Sequence, residues 1–310
     1  MVYTQKILRV VIGLFFIVSA VLKLFSLDNF ELYIYSFNFV NFTWSALVAR
    51  VIIACEILVG ILLIIKVKYK AAWWLTMLML VGFSLLLVYV LIFRDDSNCH
   101  CMGDFVDIKP SVSLVKNLVA IAIMWFIRNE EESCFRGRTV ALVLAFVVAF
   151  VPPFVLFPMD DVYNLFAKTD GLKYNETAFN ALMADSTMQE VDLEQDKYIV
   201  GVVSARCNFC RISCLKMSEI VDNNQLDTSR ILFFVWGPDS AAVELFKTET
   251  KTESFRYVPI SALAAVEITR GEFPIYLFMN EGEVVGTADL RHLTEKAVCD
   301  HLLQKPNVIK

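Results

Sequence analysis

Residues 198–210 read YIVGVVSARCNFC. Residues 198–203 are a short apolar run rich in β-branched side chains, bounded by Ser204, and read as a buried strand. Downstream, Ile212, Leu215, Met217 and Ile220 recur at helical intervals. Cys207 and Cys210 therefore sit where a strand turns into a helix. The first N–H groups of a helix lack intrahelical partners and favour negative charge, so the spacing predicts a thiolate at Cys207, with Arg206 adding to the effect. Cys207 then reads as the attacking sulfur and Cys210 as the resolving one. Structural zinc uses the same Cys-x-x-Cys spacing. No second ligand pair with zinc spacing follows, and a flanking strand–helix pattern favours redox chemistry over a metal site.

Working outward toward the C-terminus, residues 231–236 form a second apolar run. Gly271-Glu272-Phe273-Pro274 introduces IYLFM at 275–279, a third strand. Asn280-Glu281-Gly282 marks a turn, Val284-Val285 a further strand, and a helix over 290–303 closes an α/β domain spanning 197–310. Read from base rates alone, Pro274 is an ordinary trans proline opening a strand. The segment 159–196 is polar and weakly periodic. It reads as a linker or a cap with one helix at 177–184.

The N-terminal half has a different character. Residues 1–157 carry 13 Lys/Arg and 10 Asp/Glu, whereas residues 158–310 carry 15 and 23. Neither half has a basic stripe, which argues against nucleic acid as a partner. Crossing a bilayer takes about 20 mainly apolar residues. Five segments approach that length: 7–25, 46–65, 71–93, 112–127 and 139–157. The first is too long, and lacks a following small-residue cleavage site, to be a signal peptide, so it reads as a retained helix. The fold class predicted is a membrane α-helical bundle of five transmembrane helices over 1–158, followed by the α/β domain.

Loop charges predict orientation, since cytoplasmic loops are enriched in Lys and Arg. With the N-terminus inside, the cytoplasmic segments hold Lys6, Arg9, Lys66, Lys68, Lys70, Arg128, Arg136 and Arg138, against Arg94 and Lys109 in the short outer loops. The C-terminal domain then lies outside, on the periplasmic face of a bacterial inner membrane, where disulfides persist. The first outer loop, 26–45, is expected to lie partly at the interface, its rings toward lipid and Asp28 and Glu31 toward water.

This topology sorts the eight cysteines. Cys99 and Cys101 lie in the second outer loop, and Cys207, Cys210, Cys214 and Cys299 in the outer domain. Cys55 is within the second span and Cys134 in a cytoplasmic loop. The loop sequence NCHCMGD at 98–104 admits three readings. A Cys99–Cys101 disulfide would close a short, strained and easily reduced ring. The two thiols are otherwise incidental, or they join His100 and Met102 as Cu(I) ligands. Cys214, one turn below Cys210, reads as a buried small side chain. Glu56 lies inside the second span, where a carboxylate is functional or paired. Arg50 is poorly placed for it along one helix. Lys23 is another candidate partner, and both a packing ion pair and a proton or quinone role stay open.

The order strand, Cys207-x-x-Cys210 opening a helix, strand at 231–236, and Pro274 before a two-stranded ribbon and final helix resembles thioredoxin-like thiol–disulfide oxidoreductases. Arg206 departs from them, standing where thioredoxins usually carry Trp. The resemblance implies a cis Pro274, with the Phe273 backbone beside the Cys-x-x-Cys. The first four spans resemble the MauE/DoxX family through GLFFIVSAVLK at 13–23, CEILVG at 55–60 and the Cys99-x-Cys101-Met102-Gly103-Asp104 loop. That loop resembles the MauE branch, which is associated with disulfide maturation of an exported enzyme subunit. The two resemblances imply a membrane-anchored thiol–disulfide oxidoreductase passing electrons between Cys207/Cys210 and Cys99/Cys101, with exported thiol or disulfide proteins as clients. By architectural analogy alone, a membrane quinone is the one cofactor implied. The alternative is a non-enzymatic assembly or Cu(I)-handling factor whose thioredoxin-like domain binds a client.

Overall fold

The computed structural model describes residues 2–94, 108–130, 132–133, 136–166, 174–185, 193 and 196–303. Cys99, Cys101 and Cys134 lie outside the described residues. The chain divides into two compact units: Met1–Ile34 with Trp44–Met159, and Tyr35–Thr43 with Asp160–Lys310.

The first unit is helical: α1 (Val2–Phe25), α2 (Leu27–Tyr35), α3 (Phe42–Ile65), α4 (Tyr69–Phe93), α5 (Pro110–Phe126) and α6 (Arg138–Val151). Among the described residues, four helices are long and apolar enough to cross a membrane: Tyr3–Phe25, Phe42–Ile65, Tyr69–Phe93 and Arg138–Leu156. The remaining apolar helix, α5, has 17 residues, at the lower limit for a span. The last span begins as α6 and continues as a π turn over Pro152–Leu156, because Pro152 and Pro153 have no N–H to donate to the α-helical ladder. On α4, Leu78, Leu85 and Ile92 are exposed, while Trp73, Leu80 and Leu87 are buried. Each set repeats every seven residues, about two turns, so one face of the helix packs and the other is left for lipid.

Close packing in this unit depends on absent side chains. A Cβ at Gly13 would lie 2.8 Å from the Gly60 carbonyl oxygen, and one at Gly60 would lie 2.7 Å from that of Gly13. The two glycines let α1 and α3 approach backbone to backbone, the usual device of membrane helix pairs. Helices α4 and α5 are tied by polar caps: the Trp73 indole donates to the Met124 carbonyl at 2.7 Å, and the Tyr69 hydroxyl to that of Ile127 at 2.6 Å.

One sequence expectation is overturned here. Glu31 does not face water. It is buried on α2 and paired with Arg50 of α3. Arg50 is itself buried, and a cation inside a span needs a counter-ion. Leu27 and Phe30 of the same helix are buried in the core of this unit too, so α2 packs inward more than an interfacial helix would.

The second unit continues with α7 (Asp160–Phe166), α8 (Glu176–Met183), β1 (Lys197–Ser204), α9 (Asn208–Asn224), β2 (Ile231–Trp236), α10 (Ser240–Glu249), β3 (Arg256–Pro259), α11 (Ala262–Thr269), β4 (Ile275–Asn280), β5 (Glu283–Ala288) and α12 (Glu295–Leu303). The strands form a five-stranded sheet in the order β3-β2-β1-β4-β5. β1 pairs parallel with β2 and antiparallel with β4, and β5 closes the edge as a hairpin with a bulge at Phe278/Met279. β1 is central, with Ile199, Val200, Val202 and Val203 all fully buried. That explains why its sequence is continuously apolar rather than alternating. Segment 159–196 contributes to this core: Asn175 caps α8 by accepting from the Ala178 N–H, and Phe179 and Leu193 pack with Val200, Val202, Leu232 and Phe234.

Candidate functional site

At the end of β1 the chain makes one tight turn before α9. The Ala205 N–H donates to the Trp236 carbonyl at 2.8 Å, and the Cys207 N–H to that of Ser204 at 3.0 Å. These bonds set Cys207 at the N-cap of α9, in extended backbone conformation (φ −90°, ψ 121°). Its sulfur is partly exposed, whereas Cys210, one turn inside, is fully buried. Phe209, between them, is 59% exposed. Both cysteines are free thiols.

The two sulfurs differ sharply in acidity. Cys207 is lowered to about 6, chiefly because its sulfur accepts a hydrogen bond from the Cys210 thiol. Partial burial opposes the shift, and the backbone N–H groups of Cys210 and Phe209 add to it. Cys210 is pushed far above the ordinary thiol range, first by burial and then by donating to Cys207, although its sulfur accepts from the Ser204 N–H at 3.3 Å. The helix-start expectation for Cys207 holds in these backbone donors. Arg206 does not share in it: its side chain is exposed and is not among the groups that lower the thiol.

Behind Cys210 lies a polar group that sequence reading missed. Cys214 is fully buried, with its sulfur 3.8 Å from the Tyr276 hydroxyl. Tyr276 donates to Ser213 Oγ at 2.8 Å, and Ser213 donates to the Cys210 carbonyl at 2.9 Å. Burial raises Cys214 to about 12 and pushes Tyr276 well above the usual phenol value. The available signal was Tyr276 itself, a hydroxyl inside the apolar run IYLFM, which a strand buried on both faces must satisfy. Two residues earlier the Phe273–Pro274 bond is cis. Pro274 is buried, and Phe273 packs against the core that includes Val202 and Ile275.

Glu56 lies in the first unit. Both its carboxylate oxygens accept from the Lys23 ammonium, at 2.6 and 2.8 Å, and Ser19 lies 2.9 Å from the same ammonium. All three are buried. The ion pair across α1 and α3 is thus the partner assignment, and Arg50 is engaged elsewhere, with Glu31. Lys23 also lies over the Phe30 and Phe83 rings. The three donors of the Lys23 ammonium are thus directed at Glu56 and Ser19.

Residues 1–128 match the family model described as methylamine utilisation protein MauE. Residues 1–128 are thus MauE-like, and a thioredoxin-like α/β domain follows them at the C-terminal end. Among curated proteins it is similar to Protein TlpB of Flavobacterium psychrophilum, with 28% identity over 291 residues, covering 82% of this chain and 74% of that protein. No solved structure matches it significantly. The similarity to TlpB extends over both halves of the MauE-like chain, so it takes in the fusion as well as the membrane part.

Proposed function

We propose that this protein is a membrane-anchored thiol–disulfide oxidoreductase, with Cys207 as the exchanging sulfur and Cys210 as the resolving one. The asymmetry of the pair carries the reading: a partly exposed thiol lowered to about 6 beside a buried thiol raised far above its usual range. A sulfur ionised near neutral pH attacks a client disulfide readily and leaves readily. A buried, protonated partner stays out of the reaction until a mixed disulfide has formed. Cys207 then loses its thiolate, and Cys210 attacks its sulfur, releasing the client thiol and closing the Cys207–Cys210 bond. Run backward, the same steps oxidise a client.

The finer parts of the proposal concern topology and relay. The loop charges support a periplasmic thioredoxin-like domain with the N-terminus inside. An impermeant thiol reagent on intact, reduced spheroplasts is expected to label Cys207 and Cys99 but spare Cys134; the opposite pattern inverts the topology. In Cys210→Ser, we expect a disulfide from Cys207 to Cys99 or Cys101 within one chain, seen as a reductant-sensitive gel shift that is lost when both loop cysteines become Ser. Client adducts alone, persisting without the loop cysteines, would show that the two pairs act separately. Exported thiol proteins are the proposed clients. The metal-handling alternative rested on Cys99, His100, Cys101 and Met102, which lie outside the described residues.

A further inference from the structure

Beside Cys207 the surface opens into a groove of about 430 Å³, lined by Ala205, Arg206, Asn208, Arg211, Ala242 and Leu245. Two of these are arginines, five residues apart on either side of the Cys-x-x-Cys turn. Arg206 is exposed. Arg211 reaches Glu249 of α10 at 3.1 Å through Nη2, with both side chains 40% exposed. Its Nε–H is buried and has no acceptor among the described residues. Arg211 is therefore only half spent. A pair this exposed is weak, so an incoming carboxylate can take the guanidinium from Glu249. Apolar surface accompanies the charge: Leu245, on the groove wall, is 55% exposed and Phe209 is 59% exposed.

We propose that this groove is a client-selection surface. It receives a client polypeptide segment that carries an acidic and an apolar side chain next to the cysteine offered to Cys207. The inference rests on the thiol-exchange reading above and names the client chemistry it prefers. Charge complementarity argues for the acid, because two of the residues lining the groove are arginines and none is acidic, and Glu249 already makes with Arg211 the contact a client carboxylate would make. Exposed Leu245 and Phe209 argue for a peptide rather than a small anion, since such side chains gain only from an apolar neighbour. Arg206 thus has a role that leaves Cys207 acidity alone. It is a specificity residue, acting on which client docks.

The test uses the reduced full-length protein in nanodiscs of zwitterionic lipid, in a Cys99→Ser/Cys101→Ser background. Two peptides carry cysteine as a mixed disulfide with thionitrobenzoate, one flanked by Glu and Leu, the other by Lys and Leu. The Cys207 thiolate attacks the peptide sulfur and the coloured thionitrobenzoate anion leaves. Cys210 then gives its proton to solvent and attacks the Cys207 sulfur, breaking the Cys207–peptide bond and releasing the peptide thiolate, so the dithiol supplies the two electrons that reduce the peptide disulfide. Rates are taken after subtracting those of Cys207→Ser. The acidic peptide is expected to react about fivefold or more faster than the basic one, the advantage shrinking in high salt. Arg206→Gln/Arg211→Gln should bring the ratio close to one, and its reaction with neutral 2-hydroxyethyl disulfide shows that the variant is folded. Equal rates for the two peptides, an unchanged ratio in the double variant, or the mixed disulfide of anionic glutathione with thionitrobenzoate reacting as fast as the acidic peptide would overturn the proposal. Failure of the parent protein to react even with 2-hydroxyethyl disulfide would instead overturn the thiol-exchange reading beneath it.

Discussion

The buried Lys23–Glu56 pair of the helical unit and the Cys207–Cys210 pair of the α/β unit use burial in opposite ways. Lys23 and Glu56 are both buried, both charged and matched at 2.6 Å. Each is the other's counter-ion, with Ser19 beside them. Cys207 and Cys210 share one proton unequally, with one sulfur at the surface and the other fully covered. Symmetric burial of opposite charges makes a structural bolt; asymmetric burial of like groups makes a reactive one. The same contrast runs through each unit. The helical unit also pairs Arg50 with Glu31, and both Arg9 and Lys66 with Glu130, because an unpaired charge in an apolar bundle is expensive.

That contrast is broken most severely by removing the reactive sulfur. Cys207→Ser should abolish disulfide exchange, while Cys210→Ser should keep the first attack and accumulate mixed disulfides, both read on non-reducing gels. If Cys207→Ser retains exchange at wild-type rate, the asymmetry has no catalytic meaning. Next in size is the bolt. Glu56→Leu strands Lys23 in the bundle and should destabilise the protein by about 3–5 kcal/mol in detergent, whereas Lys23→Met/Glu56→Leu should recover most of the loss. A single variant as stable as wild type would mean that the pair is not structurally needed and would reopen a functional role for Glu56.

Acidity sharpens the comparison further. Alkylation of Cys207 should rise through about pH 6 and plateau near neutrality, with Cys210 almost inert over the same range. The sign for stability follows. The folded value lies below the unfolded thiol value of about 8.5, so the Cys207 thiolate favours the folded state above that value, and the contribution declines as pH falls through about 6. Partial exposure keeps it small. Equal alkylation profiles at the two positions would erase the asymmetry. Smaller again, Tyr276→Phe removes the buried hydrogen bond to Ser213 and the weaker contact with the Cys214 sulfur, and should cost about 1 kcal/mol in thermal or denaturant unfolding. The smallest expected effect is that of Arg206→Ala, which should leave the pH profile of Cys207 in place; a clear upward move of that profile would return Arg206 to the role its sequence position first implied.

Much of this was legible because it is local in the chain. Residues 198–203 form a strand, Cys207 caps the next helix and IYLFM is a strand, since each depends on a few consecutive side chains and their period. The unprotected N–H groups at a helix start are equally local, and they still act on Cys207. Expectations failed where a residue's partner lies far away in sequence. Glu31 was given to water because loop 26–45 read as an interfacial segment, yet Arg50 reaches it from the next helix. Arg206 was credited with the Cys207 shift for adjacency, but it is exposed, where its charge is screened. Tyr276 was passed over as one more apolar position in a strand.

By itself, then, the sequence determined that long apolar helices precede a sheet-based domain, and that a dithiol opens a helix there. Length, hydrophobic period and the chemistry of a helix start are carried by neighbouring residues and survive any packing. The tertiary structure alone decided that Lys23 answers Glu56 and Arg50 answers Glu31, that Cys210 is sealed while Cys207 is not, and that Tyr276, Ser213 and Cys214 stand behind the pair. Ion pairing and burial depend on which faces of which elements meet, and that is fixed by the packing of residues 19 to 63 positions apart, a separation at which local pattern carries no information.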